Sequence, residues 1–172
     1  MIILVFGLPG SGKSYFSRHL QKEIDAGLLN TDIIRQKLNL KGTYDQSAKK
    51  RVYDKMMEKT IEHLEEGSDI IVDGTFHKKQ RREDFSRIAK KNETRIFFVE
   101  IKASEQTIKQ RLEKKRKYSE ADYEVFRKLK KEFEDQPGNH LVLWSDSEPI
   151  DTMIMKAKEY IYGNQTDTCP DK

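Results

Sequence analysis

Cysteine is almost absent from this 172-residue sequence, which contains a single one, Cys169. It lies in the polar carboxyl-terminal stretch GNQTDTCPDK. A single thiol cannot form a disulfide within these residues, and it cannot build a zinc site from several cysteines. We therefore expect neither a disulfide-stapled fold nor a cysteine zinc module.

Long hydrophobic runs are also missing. No stretch approaches the roughly 18 consecutive apolar residues of a membrane span, and Met1 leads directly into a strand-like run without the basic region of a secretory signal. Apolar residues make up 35% of the sequence and charged residues 36%. The composition predicts a heavily solvated protein, for which a cytoplasmic location is the expectation.

Proline and glycine are scarce, with four and nine residues respectively, and they form no linker between segments. Internal repeats are absent as well. We therefore expect one domain over residues 1–163, large enough to bury a core. Residues 164–172 are predicted to be a disordered tail.

Charge of one sign does not dominate either. The 33 Lys and Arg residues nearly balance the 29 Asp and Glu residues, which leaves a formal net charge of +4. Such a balance favours an anionic partner only weakly, because most of these charges are expected on solvated helix faces.

Short apolar, β-branched runs alternate with longer segments of helical periodicity. The strand-like runs are residues 2–7, 27–32, 69–75, 95–101 and 140–146. The helical segments start at residues 12–13 and then cover about 46–66, 78–91, 104–116, 119–135 and 149–162. Ser119 to Asp122 match a capping box, and Pro149 suits a first helical position. Alternating strands and helices predict an α/β fold with a parallel sheet and helices on both faces, in which ligands gather at the carboxyl ends of the strands.

The stretch GLPGSGKS, residues 7–14, matches the phosphate-binding pattern G-x-x-x-x-G-K-[ST]. It follows a strand-like run and opens a helix, which is the context that the pattern requires. Its backbone N–H groups, next to a helix N-terminus, are suited to phosphate oxygens. The predicted nucleotide-binding residues are Gly7, Pro9, Gly10, Ser11, Gly12, Lys13, Ser14 and Tyr15. Lys13 is expected to reach the β/γ-phosphates and the Ser14 hydroxyl to bind Mg²⁺. The sequence thus predicts a nucleoside triphosphate site for ATP with Mg²⁺.

The class of nucleotide protein depends on other residues. No N-K-x-D guanine motif is present, which argues against a GTPase switch. DIIVD, residues 69–73, ends in an acid at a strand end, so Asp73 is a candidate to orient Mg²⁺ or to organise the acceptor site. The alternative is an acid that only caps the turn with Thr75.

Asp32 and Arg35, in the stretch LLNTDIIRQKL, follow the second strand-like run. A small kinase needs a carboxylate beside the acceptor hydroxyl, and Asp32 is placed to be that base. The alternative is that Thr31 or Asp32 only caps the next helix. Arg35, one turn later, is suited to a phosphate or carboxylate of the acceptor, or else is an ordinary surface arginine.

Residues 110–118, QRLEKKRKY, are the most basic stretch of the chain. Within a region of about 104–135 they could form a helical lid that supplies cations to the transferred phosphate. Arg111 and Arg116 are the candidate lid arginines. A solvated helix face is the alternative for the whole stretch.

Together these motifs resemble the P-loop kinases grouped with polynucleotide 5′-hydroxyl kinase, zeta-toxin-like kinases and many "predicted kinases". The resemblance covers about residues 1–146 and implies a three-layer P-loop fold, with about five parallel strands in adenylate-kinase-like order and a helical lid. It also implies roles for individual residues: general base for Asp32, acceptor binding for Arg35, acceptor-site organisation for Asp73 beside Thr75, and lid cations for Arg111 and Arg116. A role for Arg82, after the third strand, is left open.

The sequence therefore predicts an ATP-dependent kinase that phosphorylates a hydroxyl, with Lys13, Asp32 and Arg111 as catalytic residues. A polynucleotide 5′-OH end is the first expectation for the acceptor, because Arg35 and the positive net charge suit a phosphodiester. The alternatives are a small-metabolite kinase, acting on a sugar acid, nucleoside or similar hydroxyl, and a regulatory nucleotide-binding ATPase without an acceptor.

Overall fold

The structure, a computed structural model, describes residues 1–43, 45–113 and 122–163. Its five strands are β1 (Ile2–Phe6), β2 (Gly27–Asn30), β3 (Ile70–Asp73), β4 (Ile96–Lys102) and β5 (Leu141–Trp144). Its helices are α1 (Lys13–Ile24), α2 (Thr31–Lys37), α3 (Gln46–Glu65), α4 (Lys79–Lys91), α5 (Glu105–Glu113), α6 (Tyr123–Glu132) and α7 (Ile150–Tyr162).

The five strands form one parallel sheet in the order β2-β3-β1-β4-β5. Its central strand, β1, is buried along its whole length, which explains its unbroken apolar sequence IILVF. The predicted five-stranded parallel α/β fold is confirmed.

Successive residues of β1 point to opposite faces of the sheet and so enter two separate cores. Ile3 and Val5 pack with residues of α1 and α7, such as Phe16 and Met153. Ile2, Leu4 and Phe6 lie in the second core, whose helical contributors include Met56, Phe85 and Ala89. This second core includes residues of α3 and α4, so helices cover both faces.

Several predicted element boundaries need correction. The second strand ends at Asn30 rather than at residue 32, because the Asn30 side chain caps α2 and Thr31 is already helical. The helix expected over 119–135 is described only from Tyr123, capped by Asp122, and it ends at Glu132 because Phe133 is extended. Pro149 is the N-cap of α7, one position before the predicted one. Ser119 lies outside the described residues.

No helix in the described part of the chain combines the length and apolar character that a membrane crossing needs.

The carboxyl ends of the parallel strands lie at one edge of the sheet. The loops that leave this edge carry the glycine-rich stretch after β1, Asn30 at the end of β2, and Asp73 at the end of β3. The fold therefore brings together the three segments in which the sequence predicts nucleotide-binding and acceptor-site residues.

Candidate functional site: a phosphate-binding loop and a shared cavity

The glycine-rich loop between β1 and α1 depends on glycine at three positions. Gly7, Gly10 and Gly12 have φ angles of 140°, 84° and 97°, which other residues rarely adopt. A Cβ atom on Gly7 would lie 2.3 Å from the carbonyl oxygen of Ile101 in β4. The loop therefore packs directly against the neighbouring strand.

Lys13 begins α1 and lies under this loop. Its Nζ donates a hydrogen bond of 2.8 Å to the carbonyl oxygen of Leu8, and the residue is 9% exposed. Gly12, the N-cap residue, has no side chain to satisfy the first N–H groups of the helix. Those N–H groups lie next to the Lys13 ammonium and are suited to an anion bound at the loop.

Ser14, Asn30 and Asp73 are linked by hydrogen bonds. Ser14 lies in the first turn of α1, Asn30 ends β2 and Asp73 ends β3. The Asn30 Nδ2 donates to Asp73 Oδ2 at 2.6 Å and to Ser14 Oγ at 3.1 Å. The Asn30 Oδ1 accepts from the N–H groups of Asp32 and Ile33, at 2.9 and 3.1 Å. One side chain thus caps α2 and positions both predicted metal-binding residues.

Asn30 was not among the residues predicted from the sequence, and the alternative that Thr31 or Asp32 caps α2 is wrong, because Asn30 is the N-cap. Asparagine just before an apolar-periodic segment is a good N-cap, so a capping signal was available in the sequence. Its bonds to Asp73 and Ser14 had no such signal, because they join residues 43 and 16 positions away.

Asp73 is 1% exposed, and burial raises the pKa of its carboxyl, while the Lys13 charge and the Asn30 amide act in the opposite direction. Its Oδ1 is buried without a hydrogen-bond partner among the described residues. An unsatisfied carboxylate oxygen beside the Ser14 hydroxyl fits a Mg²⁺ ion held partly through water. Within the described residues no cluster of three or more His, Cys, Asp or Glu side chains could hold a metal alone. The arrangement suits an ion that shares its coordination with a phosphate.

Arg111, from α5, binds the outside of the loop. Its guanidinium donates to the Gly10 carbonyl at 3.2 Å, to Ser145 Oγ at 2.8 Å and to the Ser145 carbonyl at 3.1 Å. The Ser145 hydroxyl in turn donates to the Ser11 carbonyl at 2.6 Å. The structure therefore brings Arg111 to the phosphate-binding loop. The other candidate lid arginine, Arg116, lies outside the described residues.

A cavity of about 1330 Å³ opens at this edge of the sheet. Most of the sequence-predicted site residues line it: Pro9, Gly10, Gly12, Lys13, Ser14, Tyr15, Asp32, Arg35, Asp73, Thr75 and Arg111. Gly7 and Ser11 do not, and their part is to shape the loop. Six Lys and Arg side chains line the cavity against four Asp and Glu side chains. The cavity thus has an excess of positive charge, which suits anionic ligands.

Asp32 and Arg35 line the part of the cavity that faces α3. Because Asn30 caps α2, the Asp32 carboxyl is not used as the cap, and it lines the cavity instead. Arg35 is 9% exposed and donates a 2.8 Å hydrogen bond to the carbonyl of Thr43, so it is not an ordinary surface arginine. Thr75 lines the cavity, and its carbonyl accepts from the Gly7 N–H at 3.3 Å.

Arg82, whose role the sequence left open, is a structural residue. It is 1% exposed and does not line the cavity. Its guanidinium donates to the carbonyls of Phe76, Glu134 and Asp135 and to the side chain of Gln136, at 2.6 to 2.8 Å. Arg82 thus ties the segment after α6 to the loop after β3.

Comparison with known proteins identifies the family of this chain. The family model AAA_33, described as an AAA domain, matches residues 2–136. The chain is also 32% identical, over 108 residues, to an L-seryl-tRNA(Sec) kinase of Methanococcus maripaludis. That match covers 60% of this chain and 41% of the other protein, so the chain spans less than half of the relative's length.

Solved structures show the same fold at low identity. A gluconokinase from Sinorhizobium meliloti 1021 has a TM-score of 0.72 at 14% identity, covering 96% of this chain and 97% of its own. The APS kinase of Mycobacterium tuberculosis, in complex with AMPPNP and APS, has a TM-score of 0.70 at 16% identity, covering 93% and 96%. Since the AAA_33 match extends over most of the chain and takes in the phosphate-binding loop, the chain belongs to the AAA_33 family and has the fold of the P-loop kinases.

Proposed function

We propose that this protein is an ATP-dependent kinase that transfers the γ-phosphate to a hydroxyl of a small acceptor. One observation carries the proposal: Asp32 and Arg35 line the same cavity as the phosphate-binding loop. Asp32 as a base and Arg35 as a cation for an acceptor therefore line the same cavity as the residues suited to a triphosphate. A nucleotide switch that has no acceptor would need no such second set of side chains.

In the proposed reaction the acceptor oxygen attacks the γ-phosphorus of ATP. A bond forms between that oxygen and phosphorus, the bond from phosphorus to the ADP oxygen breaks, and the hydroxyl proton passes to the Asp32 carboxylate. Arg35, held by the Thr43 carbonyl, contributes a positive charge on the acceptor side.

On the donor side, Lys13 and the loop N–H groups hold the β/γ-phosphates. Arg111, which already contacts the Gly10 carbonyl, adds a cation next to them. Ser14 and Asp73 would hold Mg²⁺, which supplies charge neutralisation for the phosphates when it is bound. Asn30 keeps these two side chains in place through its hydrogen bonds.

Size favours a small acceptor over a polynucleotide end. The acceptor part of the cavity is lined by residues of three helices, α2, α3 and α6, together with the loop after β3. The full volume of about 1330 Å³ exceeds the roughly 300–1,000 Å³ of a typical single-ligand pocket, so it suits ATP beside one small molecule. The names of the related proteins, a gluconokinase, an APS kinase and an L-seryl-tRNA(Sec) kinase, support the small-acceptor alternative better than a polynucleotide 5′-OH end.

A transfer assay with γ-labelled ATP tests the proposal. The acceptors are a panel of small hydroxyl compounds (sugars, sugar acids, nucleosides and L-serine), with 5′-OH DNA and RNA oligonucleotides as a separate arm. A reaction without acceptor measures ATP hydrolysis alone, and Asp32→Asn is the matched inactive control.

Label on a small compound, with ATP consumption that depends on that compound, is the expected result. Label on oligonucleotide ends would show that the acceptor is a polynucleotide and not a small compound. ATP consumption that no acceptor accelerates, and that Asp32→Asn leaves unchanged, would favour a regulatory ATPase and overturn the proposal.

A further inference from the structure

Several charged residues of the cavity take no part in the proposed transfer step. Besides Asp32 and Arg35, the charged side chains that line the part of the cavity formed by α2, α3 and α6 are Lys49, Lys128 and Glu132. The two lysines come from different helices. A positive charge that faces a cavity without a counterion favours an anionic ligand.

Lys49 and Lys128 have no salt-bridge partner among the described residues. Nearby lysines on the same helices are paired: Lys50 lies 2.7 Å from Asp54, and Lys130 lies 2.6 Å from Glu105. The ion pairs of α3 and α6 thus involve lysines outside the cavity lining. Among the lysines of α3 and α6, Lys49 and Lys128 combine a place in the cavity lining with the lack of an ion pair to any described residue. Lys131 also has no ion pair within the described residues, but it lies outside the lining.

On α3, Tyr53 follows Lys49 by four residues and therefore shares its face of the helix. The Tyr53 ring packs against Phe76 at 5.5 Å, and the Arg81 guanidinium lies over the ring at 4.8 Å. Tyr53 lines the cavity, and its hydroxyl has no hydrogen-bond partner in residues 1–43, 45–113 and 122–163. Burial raises the pKa of this phenol, so it stays a neutral O–H donor.

On α6, Lys128 belongs to the face that lines the cavity, together with Val125, Leu129 and Glu132. These positions have the i, i+3, i+4, i+7 spacing of one helix face. Glu132 is directed at the loop after β3, where its Oε2 lies 3.8 Å from His77 Nε2. Glu132 lies one helical turn from Lys128, but the two side chains form no ion pair among the described residues.

We propose that Lys49 and Lys128, together with Tyr53, bind an anionic group of the acceptor. The acceptor is then a small hydroxyl compound that carries a carboxylate or a phosphate. This inference rests on the proposed function, because it names the class of acceptor for that reaction. The buried Arg35 adds a third positive charge to the same part of the cavity.

Binding is tested apart from catalysis, in protein saturated with AMPPNP and Mg²⁺ so that the phosphate-binding loop is occupied. Calorimetric titrations compare glycerol, glycerate and glycerol 3-phosphate, which differ in the absence or the kind of anionic group. The variants are Lys49→Gln and Lys128→Gln. Their matched controls are Lys50→Gln and Lys131→Gln, which are exposed neighbours outside the cavity lining.

The expected result is that at least one of the two anions binds about tenfold or more tightly than glycerol, as a hydrogen bond to a charged group provides. Lys49→Gln and Lys128→Gln should each remove most of that preference, while both controls keep it and all four variants keep their AMPPNP affinity. The stronger of the glycerate and glycerol 3-phosphate arms identifies the anion as carboxylate or phosphate.

Equal affinity for the charged and uncharged compounds, including equally undetectable binding, would overturn the anion site. So would a loss of preference in the controls as large as in the cavity variants. The transfer assay separates the two proposals. Anion binding without phosphate transfer to any hydroxyl would contradict the kinase proposal and leave the anion site standing. Transfer to neutral compounds with no anion preference removes the anion site alone.

Discussion

At the scale of single residues, the side chains of the site have definite and different tasks in the structure. Asn30 is the best example, because one amide caps α2 and bonds Asp73 and Ser14. This arrangement releases Asp32 from capping and leaves its carboxyl in the cavity lining. Three predictions follow from individual side chains.

Asp32→Asn should keep the affinity for ATP close to wild type while lowering kcat by roughly two to four orders of magnitude, the usual scale for loss of a general base. The amide keeps the shape of the carboxylate but cannot accept the proton. Steady-state kinetics with a confirmed acceptor provides the measurement. Unchanged turnover would rule out Asp32 as the base.

Asn30→Ala and Asn30→Asp separate the two tasks of Asn30. Alanine removes the cap and should lower the free energy of unfolding by about 1 kcal/mol, the typical effect of losing an N-cap side chain. Aspartate keeps a capping oxygen but replaces the amide donor to Asp73 by a second carboxylate, so it should weaken AMPPNP binding in Mg²⁺. Urea unfolding and nucleotide titration measure the two effects. Equal behaviour of the two variants in both measurements would contradict this division.

His77 predicts a pH dependence of stability. Burial, with Lys78 and Lys49 acting in the same direction, lowers the pKa of the His77 imidazole, while Glu132 and Glu134 oppose them. A lowered histidine pKa means that the unfolded chain takes up the proton first. The contribution of His77 is therefore complete above the unfolded pKa of about 6.5 and is lost as the pH falls through that value towards the folded pKa.

His77→Asn should accordingly lose less unfolding free energy than the wild type when the pH is lowered from 7.5 to 5. Urea unfolding at both pH values measures the difference, and the other titrating groups cancel in the comparison. A larger pH-dependent loss in the variant would mean that His77 is stabilised in its charged form by Glu132.

At the scale of elements, the loop after β3 and the segment after α6 are held together from inside the protein. Arg82 on α4 contacts three backbone carbonyls and Gln136, and Glu134 accepts from the Lys79 N–H at 2.8 Å. The same loop carries Thr75 and His77, and α6 carries Lys128. Arg82 thus sets the relative position of two elements that line the acceptor part of the cavity.

Arg82→Lys should lower the free energy of unfolding by about 3 kcal/mol, because a lysine cannot replace a buried planar guanidinium that donates to four acceptors. Arg87→Lys, on the exposed side of the same helix, is the matched control and should stay close to wild type. Urea denaturation monitored by circular dichroism compares the two. A mild effect of Arg82→Lys would mean that the segment after α6 is held mainly by its other contacts.

At the scale of the whole molecule, most of the described helices and strands contribute residues to the cavity lining. The cavity is lined from the loop after β1, the ends of β2 and β3, and helices α1, α2, α3, α5, α6 and α7. A ligand that binds there contacts segments from Pro9 to Met153 and should therefore stabilise the fold as a unit.

AMPPNP with Mg²⁺, at about 100 times its Kd, should raise the free energy of unfolding by about 2.7 kcal/mol. When EDTA removes the Mg²⁺ at the same nucleotide concentration, the stabilisation should shrink, because Ser14 and Asp73 then have no ion to share with the phosphates. Asp73→Asn should reduce the difference between the two conditions. Identical stabilisation with Mg²⁺ and with EDTA would remove Ser14 and Asp73 as the metal site.

Much of this protein could be predicted from local patterns of the sequence. The parallel α/β fold follows from apolar runs alternating with helical periodicity, and the phosphate-binding loop follows from glycine spacing with a lysine and a serine. These features depend on residues close together in the chain, where backbone geometry and burial act directly. Asp32 and Asp73 were chosen as candidates because each ends a strand-like run, and Arg35 because it follows Asp32 by three residues; their roles stay predictions.

Only the tertiary structure decided which residues that are distant in the chain contact one another. The bonds from Asn30 to Asp73, from Arg111 to Ser145 and from Arg82 to the segment after α6 join positions 34 to 54 residues apart. Such contacts depend on how parallel strands and their crossover helices bring distant segments together, and no local pattern records them. The sequence by itself therefore determined the fold class and the nucleotide loop. The way in which the helices pack around the carboxyl edge of the sheet decided that Asp32 and Arg35 line the same cavity as that loop.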